Sequence, residues 1–178
     1  MILALDISAR NTGWCVGFAD GEKTITGSFG FSGRKDDLGR LSTEFLAALK
    51  EIVRAYEPTL VCIEEPIRPS MKANLLALRQ LYGLSMVAEM LCYKAGISVC
   101  EAHNRSHKKI IYGHGGKKPL EAVAIEKAKH WGFNPSNHDE ADACGVWLMT
   151  VREVYPDEFK RLEVLKSERV AQAGMSLI

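Results

Sequence analysis

Apolar and polar positions alternate in short blocks over the first 31 residues of the chain. Residues 2–7 form an apolar run interrupted only by Asp6, as a central strand requires. Residues 8–13, Ser-Ala-Arg-Asn-Thr-Gly, are turn chemistry. Residues 14–18 read as a second strand, 19–22 as a hairpin turn and 24–31 as a third strand. Turns this short predict an antiparallel meander. The period then changes. Leu38, Leu41, Phe45, Leu49, Ile52, Val53 and Tyr56 recur at helical spacing, and Pro58 ends the stripe. Leu60 to Ile63 is a continuous apolar strand that stops at Glu64-Glu65-Pro66. A long helix, apolar over a wide arc, is expected from residue 72 to 95, closed by Gly96, and the last strand over 97–102.

Residues 103–118 are polar and contain glycine. Pro119 suits the first position of a helix that stops at Gly132. Asn137 and Glu140 have the offset of a capping box, and the helix they start carries Asp139, Asp142, Val146 and Met149. Pro156 opens a final helix whose charges cancel. Three strands, then helix, strand, helix, strand and helices predict an α/β fold. The sheet is mixed and five-stranded: an antiparallel meander plus two parallel strands, with helices on both faces. Residues 1–155 form the domain, and 156–178 are a helical extension.

Composition narrows the class. A chain of 178 residues, 47% hydrophobic and 25% charged, suits one globular domain. Its 23 basic and 22 acidic residues give a net charge of +1, unlike a bulk nucleic-acid binder. No apolar run reaches the ~18 residues of a membrane span, and the N-terminus lacks the basic start of a signal peptide. The five cysteines are odd in number and form no C-x-x-C, which fits reduced thiols of a cytoplasmic protein.

The acids carry the chemistry. Asp6 ends the first strand, Glu64 ends the fourth, and Asp139 and Asp142 share one face of a helix. If the two strands are neighbours, all four converge at one sheet edge. Each acid has an ordinary explanation on its own: Asp139 favours a helix dipole, Asp142 faces solvent, Asp6 caps a turn. Two acids in two buried strands nevertheless call for a common partner, because a buried carboxylate is costly alone. Such a cluster is usually neutralised by two divalent ions about 4 Å apart. Oxygen ligands favour Mg²⁺, with Mn²⁺ able to substitute. The chemistry implied is phosphodiester hydrolysis.

Leu5 to Gly13, then Cys62-Ile63-Glu64-Glu65, then Asp139-Glu140-Ala141-Asp142-Ala143 resemble the RuvC-type Holliday junction resolvases of the RNase H-like nuclease superfamily. The phage-encoded members are the nearest flavour. The resemblance spans residues 2 to about 150 and keeps the motif order. It implies an RNase H-like fold and Asp6, Glu64, Asp139 and Asp142 as Mg²⁺-binding catalytic acids. It implies a homodimer that cuts two opposed strands of a four-way junction, leaving 5′-phosphates. The implied location is the cytoplasm of a bacterial cell or phage-infected host.

Arg105, Lys108, Lys109, Lys117 and Lys118 lie in a segment without acids, which reads as a phosphate clamp or, alternatively, a solvated basic loop. The resemblance supports Arg105 and Lys108. The Gly113–Lys118 stretch is not a P-loop, since it lacks the first glycine and the Ser or Thr. His103, His107 and His114 are expected on the phosphate surface rather than as metal ligands. His138 is a candidate auxiliary base or extra metal contact, or a plain helix-start residue facing solvent. In the loop after Glu64, Ile67 and Arg68 would face DNA; an aliphatic wedge there replaces the aromatic one that the family often carries. Three rivals remain: a noncatalytic branched-DNA binder of the same fold, a ribonuclease acting on RNA–DNA hybrids, and an ATP-using relative of actin and the sugar kinases. The last normally needs a second domain copy, which this chain lacks.

Overall fold

The computed structural model of the chain describes residues 1–32, 36–66, 74–116 and 119–175, with the backbone alone at 104, 105 and 175. The strands are β1 Ile2–Asp6, β2 Asn11–Gly17, β3 Ile25–Gly30, β4 Leu60–Glu64 and β5 Ser98–Ala102. The helices are α1 Leu38–Tyr56, α2 Leu75–Ala95, α3 Asn104–Tyr112, α4 Glu121–His130, α5 His138–Val154 and α6 Pro156–Met175. The sheet order is β3-β2-β1-β4-β5. β1 pairs antiparallel with β2, and β2 with β3; β1, β4 and β5 run parallel. The expected mixed α/β sheet is therefore present.

Side-chain alternation divides the strands between two cores. Leu3, Leu5, Val16, Val61 and Ile63 face one side, where Leu41, Phe45 and Leu49 of α1 and Leu84, Ala88 and Cys92 of α2 cover them. Ile2, Ala4, Cys15 and Cys62 face the other, against Val146, Trp147 and Leu148 of α5. Helix α5 is buried all round from Glu140 to Val151. Helix α6 adds Phe159 and Leu162 to the same core. It is tied to the end of α4 by Lys166 over the Trp131 ring at 4.2 Å and by Arg169, which donates to the Trp131 carbonyl at 2.8 Å.

Three details depart from the sequence reading. β2 begins at Asn11 rather than Trp14, because residues 11–13 pair with Gly30, Phe29 and Ser28 of β3. The turn before it is closed by Ser8, whose hydroxyl donates to the Asn11 carbonyl at 2.8 Å. The segment after β5 is not simply a polar loop. Residues 104–112 form helix α3, which Gly113 ends with a φ of 84°. Finally, α2 is long and apolar enough to meet the length and composition test for a membrane crossing. The expectation that no segment reaches that length is corrected for this helix. Its inner face is part of the core, so the same composition serves a core helix with one exposed side.

Candidate active site

Strand parity brings the acids to one place. Asp6 follows Ile2 and Ala4 on the α5 side of β1, and Glu64 follows Cys62 on the same side of β4. The β1–β4 register ends at Leu5 opposite Ile63, one step before Asp6 and Glu64. Helix α5 starts above that edge, with its N-terminus seated on β2 at Gly13. A Cβ on Gly13 would lie 1.9 Å from the Asp139 carbonyl oxygen, so only glycine admits the helix so close.

The capping box holds that N-terminus as expected. Asn137 accepts from the Glu140 amide at 3.0 Å and donates to the Glu140 carboxylate at 3.1 Å. The same carboxylate receives hydroxyl groups of Ser136, Ser28 and Thr26 at 2.7, 3.2 and 3.2 Å. Burial pushes the Glu140 carboxyl up, but these donors outweigh it and hold the group below the usual carboxylate range.

Asp6, Glu64, Asp139 and Asp142 line one open cleft of about 260 Å³, with Ile7, Ser8, Glu65, Pro66, Leu81, Ser85 and Lys108 as further walls. Asp6 and Asp142 are buried, the latter only 2% exposed. Lys108 Nζ stands 3.6 Å from Glu64 Oε1. His107 Nε2 is 3.8 Å from the same oxygen. Asn11 donates its amide to Asp139 Oδ2 at 2.7 Å. The Tyr112 hydroxyl donates to Asp142 Oδ1 at 2.5 Å. Burial, then the Asp142 charge and that hydrogen bond, push the Tyr112 phenol far above its ordinary range, so it remains a donor.

The remaining expected residues divide. Lys108 is at the cleft and Lys109 is exposed on α3. Ile67, Arg68, Lys117 and Lys118 lie outside the described residues, as does the side chain of Arg105. His138 is half-buried, and its backbone amide donates to Glu121 of α4 at 3.3 Å. His103 is exposed and lies 3.7 Å from Glu65. His107 is not part of a phosphate surface: it is fully buried beneath Glu64. Sequence reading gave Asn11 and Tyr112 no role at the site. Once residues 104–112 are taken as helical, His107 and Ile111 share one face, and Lys108 and Tyr112 stand one turn apart.

Among the described residues, no three His, Cys, Asp or Glu side chains are drawn into a ready-made metal cage. The donor set nevertheless suits a hard divalent cation. It offers oxygen atoms only, on carboxylates that share one cleft, and such ions commonly keep waters as well.

No family model matches the chain. It is 28% identical over 148 residues to the crossover junction endodeoxyribonuclease RuvC of Bradyrhizobium diazoefficiens, covering 82% of each chain. It is 29% identical over 147 residues to that of Psychromonas ingrahamii, covering 81% of this chain and 80% of the relative. The fold matches Thermus thermophilus RuvC in complex with a Holliday junction substrate, with a TM-score of 0.65 at 16% identity. That match covers 87% of this chain and 93% of the Thermus one. The yeast mitochondrial Holliday junction resolvase Ydc2 matches with a TM-score of 0.57 at 11% identity, over 96% and 83% of the two chains. In sequence and in fold alike, this chain is similar to RuvC.

Proposed function

We propose that the chain is a metal-dependent endodeoxyribonuclease that resolves Holliday junctions by phosphodiester hydrolysis. The observation that carries this is the cleft shared by Asp6, Glu64, Asp139 and Asp142. These four side chains would hold Mg²⁺, two ions per site, with Mn²⁺ able to substitute. When bound, the ions would make water nucleophilic and stabilise the leaving oxygen. The protein's own part is to bring the acids together and to place Lys108 beside the phosphate. The exposed Lys109, with Arg105, Lys117 and Lys118, would extend that grip along the backbone. Ile67 and Arg68 would stand nearest the branch point.

Two opposed cuts need two sites, and the four acids of one chain line a single cleft. A homodimer with two-fold symmetry supplies the pair. Tyr82, Met86, Met90 and Tyr93 give α2 an exposed apolar stripe at helical spacing, the surface proposed to meet its copy. A DNA substrate puts the work in the cytoplasm of a bacterial cell or phage-infected host.

The test is to incubate the chain with Mg²⁺ and a panel of four-way junction, flap, RNA–DNA hybrid and linear duplex, and to map the cuts. Paired, symmetry-related cuts in the junction with 5′-phosphate ends are expected. Asp6→Asn should bind the junction and leave it whole. A variant at Asp6 that cuts normally would sink the assignment, and preferred cleavage of the hybrid would move it to a ribonuclease.

A further inference from the structure

We propose that Asn11 and Tyr112 are positioning residues, each fixing the orientation of one α5 carboxylate for a metal ion. This rests on the nuclease reading only in taking Asp139 and Asp142 as ligands.

The two residues come from different elements and do the same thing. Asn11, at the start of β2, gives a neutral N–H to Asp139 Oδ2 at 2.7 Å. Tyr112, the last residue of α3, gives a neutral O–H to Asp142 Oδ1 at 2.5 Å. Both contacts depend on tight seating of α5. Gly13 admits its N-terminus to β2. Gly145 admits α3 from the other side, where an added Cβ would meet Ile111 Cγ2 at 3.0 Å and His107 Cδ2 at 3.1 Å.

The chemistry of the donors is apt. A lysine in either place would bring a positive charge that competes with a cation. An amide and a phenol orient a carboxylate and leave its charge in place. Tyr112 is only 6% exposed, so its ring is clamped and the hydroxyl direction is set by packing. A carboxylate oxygen engaged in this way is no longer equivalent to its partner. The side chain loses the rotational freedom that would otherwise be lost on ion binding. Partners of this kind usually change metal affinity 10- to 100-fold when removed, an order-of-magnitude range of about one to two decades.

The experiment measures Mn²⁺ binding to the full chain by the paramagnetic resonance signal of unbound Mn²⁺, without DNA. Wild type is compared with Tyr112→Phe and Asn11→Ala. Each variant is expected to bind Mn²⁺ about 10-fold more weakly. The metal concentration for half-maximal junction cleavage should rise by a similar factor, while junction affinity without metal stays unchanged. A fall in melting temperature with unchanged Mn²⁺ affinity would make the roles merely structural and overturn the proposal. If Tyr112→Phe does not fold, Asn11→Ala decides. A wild type that binds Mn²⁺ yet cuts no junction removes the nuclease reading, and the same titration still decides the positioning roles.

Discussion

Gly13 has no space for a side chain, because its Cβ would fall 1.9, 2.2 and 2.8 Å from backbone atoms of Asp139 and Glu140. Backbone cannot rotate aside as a flexible side chain does. Gly13→Ala should therefore force α5 off β2 and cost about 3 kcal/mol or more, read from the urea midpoint. Cleavage should fall with it, since Asp139 rides on the displaced turn. Wild-type stability in this variant would mean that the strand–helix spacing is slack. At this scale, the sequence made some residues legible and hid others. Asp6 and Glu64 stood out because each interrupts or ends an apolar strand run. Tyr112 and His107 did not, because their meaning depends on which carboxylate of α5 or β4 lies across from α3, and no local pattern encodes that.

Helix α5 shows how much a cap can carry. Its Glu140 carboxylate gathers donors from Ser136, Asn137, Ser28 and Thr26, so β3 and the turn before α5 are fastened to the helix start through one charge. Burial raises the pKa of this group and the donors lower it, with the donors prevailing and holding it below the ordinary value of 4.5. A group held low in the folded state stabilises when ionised. That contribution is complete above its unfolded value and disappears as pH falls through the folded one. Glu140→Gln should thus be less stable than wild type at pH 7 by about 1–3 kcal/mol. Denaturation curves of the two should converge as the medium is acidified below the ordinary carboxylate range. A gap that is constant with pH would show that the charge is immaterial. This cap was readable from Asn137 and Glu140 alone, since a capping box is local. Helix α3 was not. Its residues 104–109, Asn-Arg-Ser-His-Lys-Lys, lack an apolar stripe, and the face that packs is made by His107, Ile111 and Tyr112.

On the scale of the whole molecule, a net charge of +1 is a sum of opposed regions. The four carboxylates lie in one cleft that Lys108 of α3 also lines, and Lys109 is exposed on the same helix. An ion-loaded cleft would make that face positive, so neutrality overall is compatible with a DNA substrate. The assembly is a second matter of surfaces. Met86 is 67% and Tyr93 87% exposed, along a helix whose opposite side is core. Met86→Glu should turn a dimer into a monomer in sedimentation and abolish paired cutting, while the chain stays folded. A wild type that sediments as a monomer at micromolar concentration would exclude the pairing. Finally, the burial of α5 on every side bears on how the enzyme would fail. From Glu140 to Val151 its residues are buried between the sheet and helices α3, α4 and α6. Exchange of their amide hydrogens should be among the slowest in the molecule and close to the rate set by global unfolding. Asp142, inside that stretch, would then not come loose by local fraying. Activity and fold should be lost together along a denaturant series, with no inactive yet folded state between them.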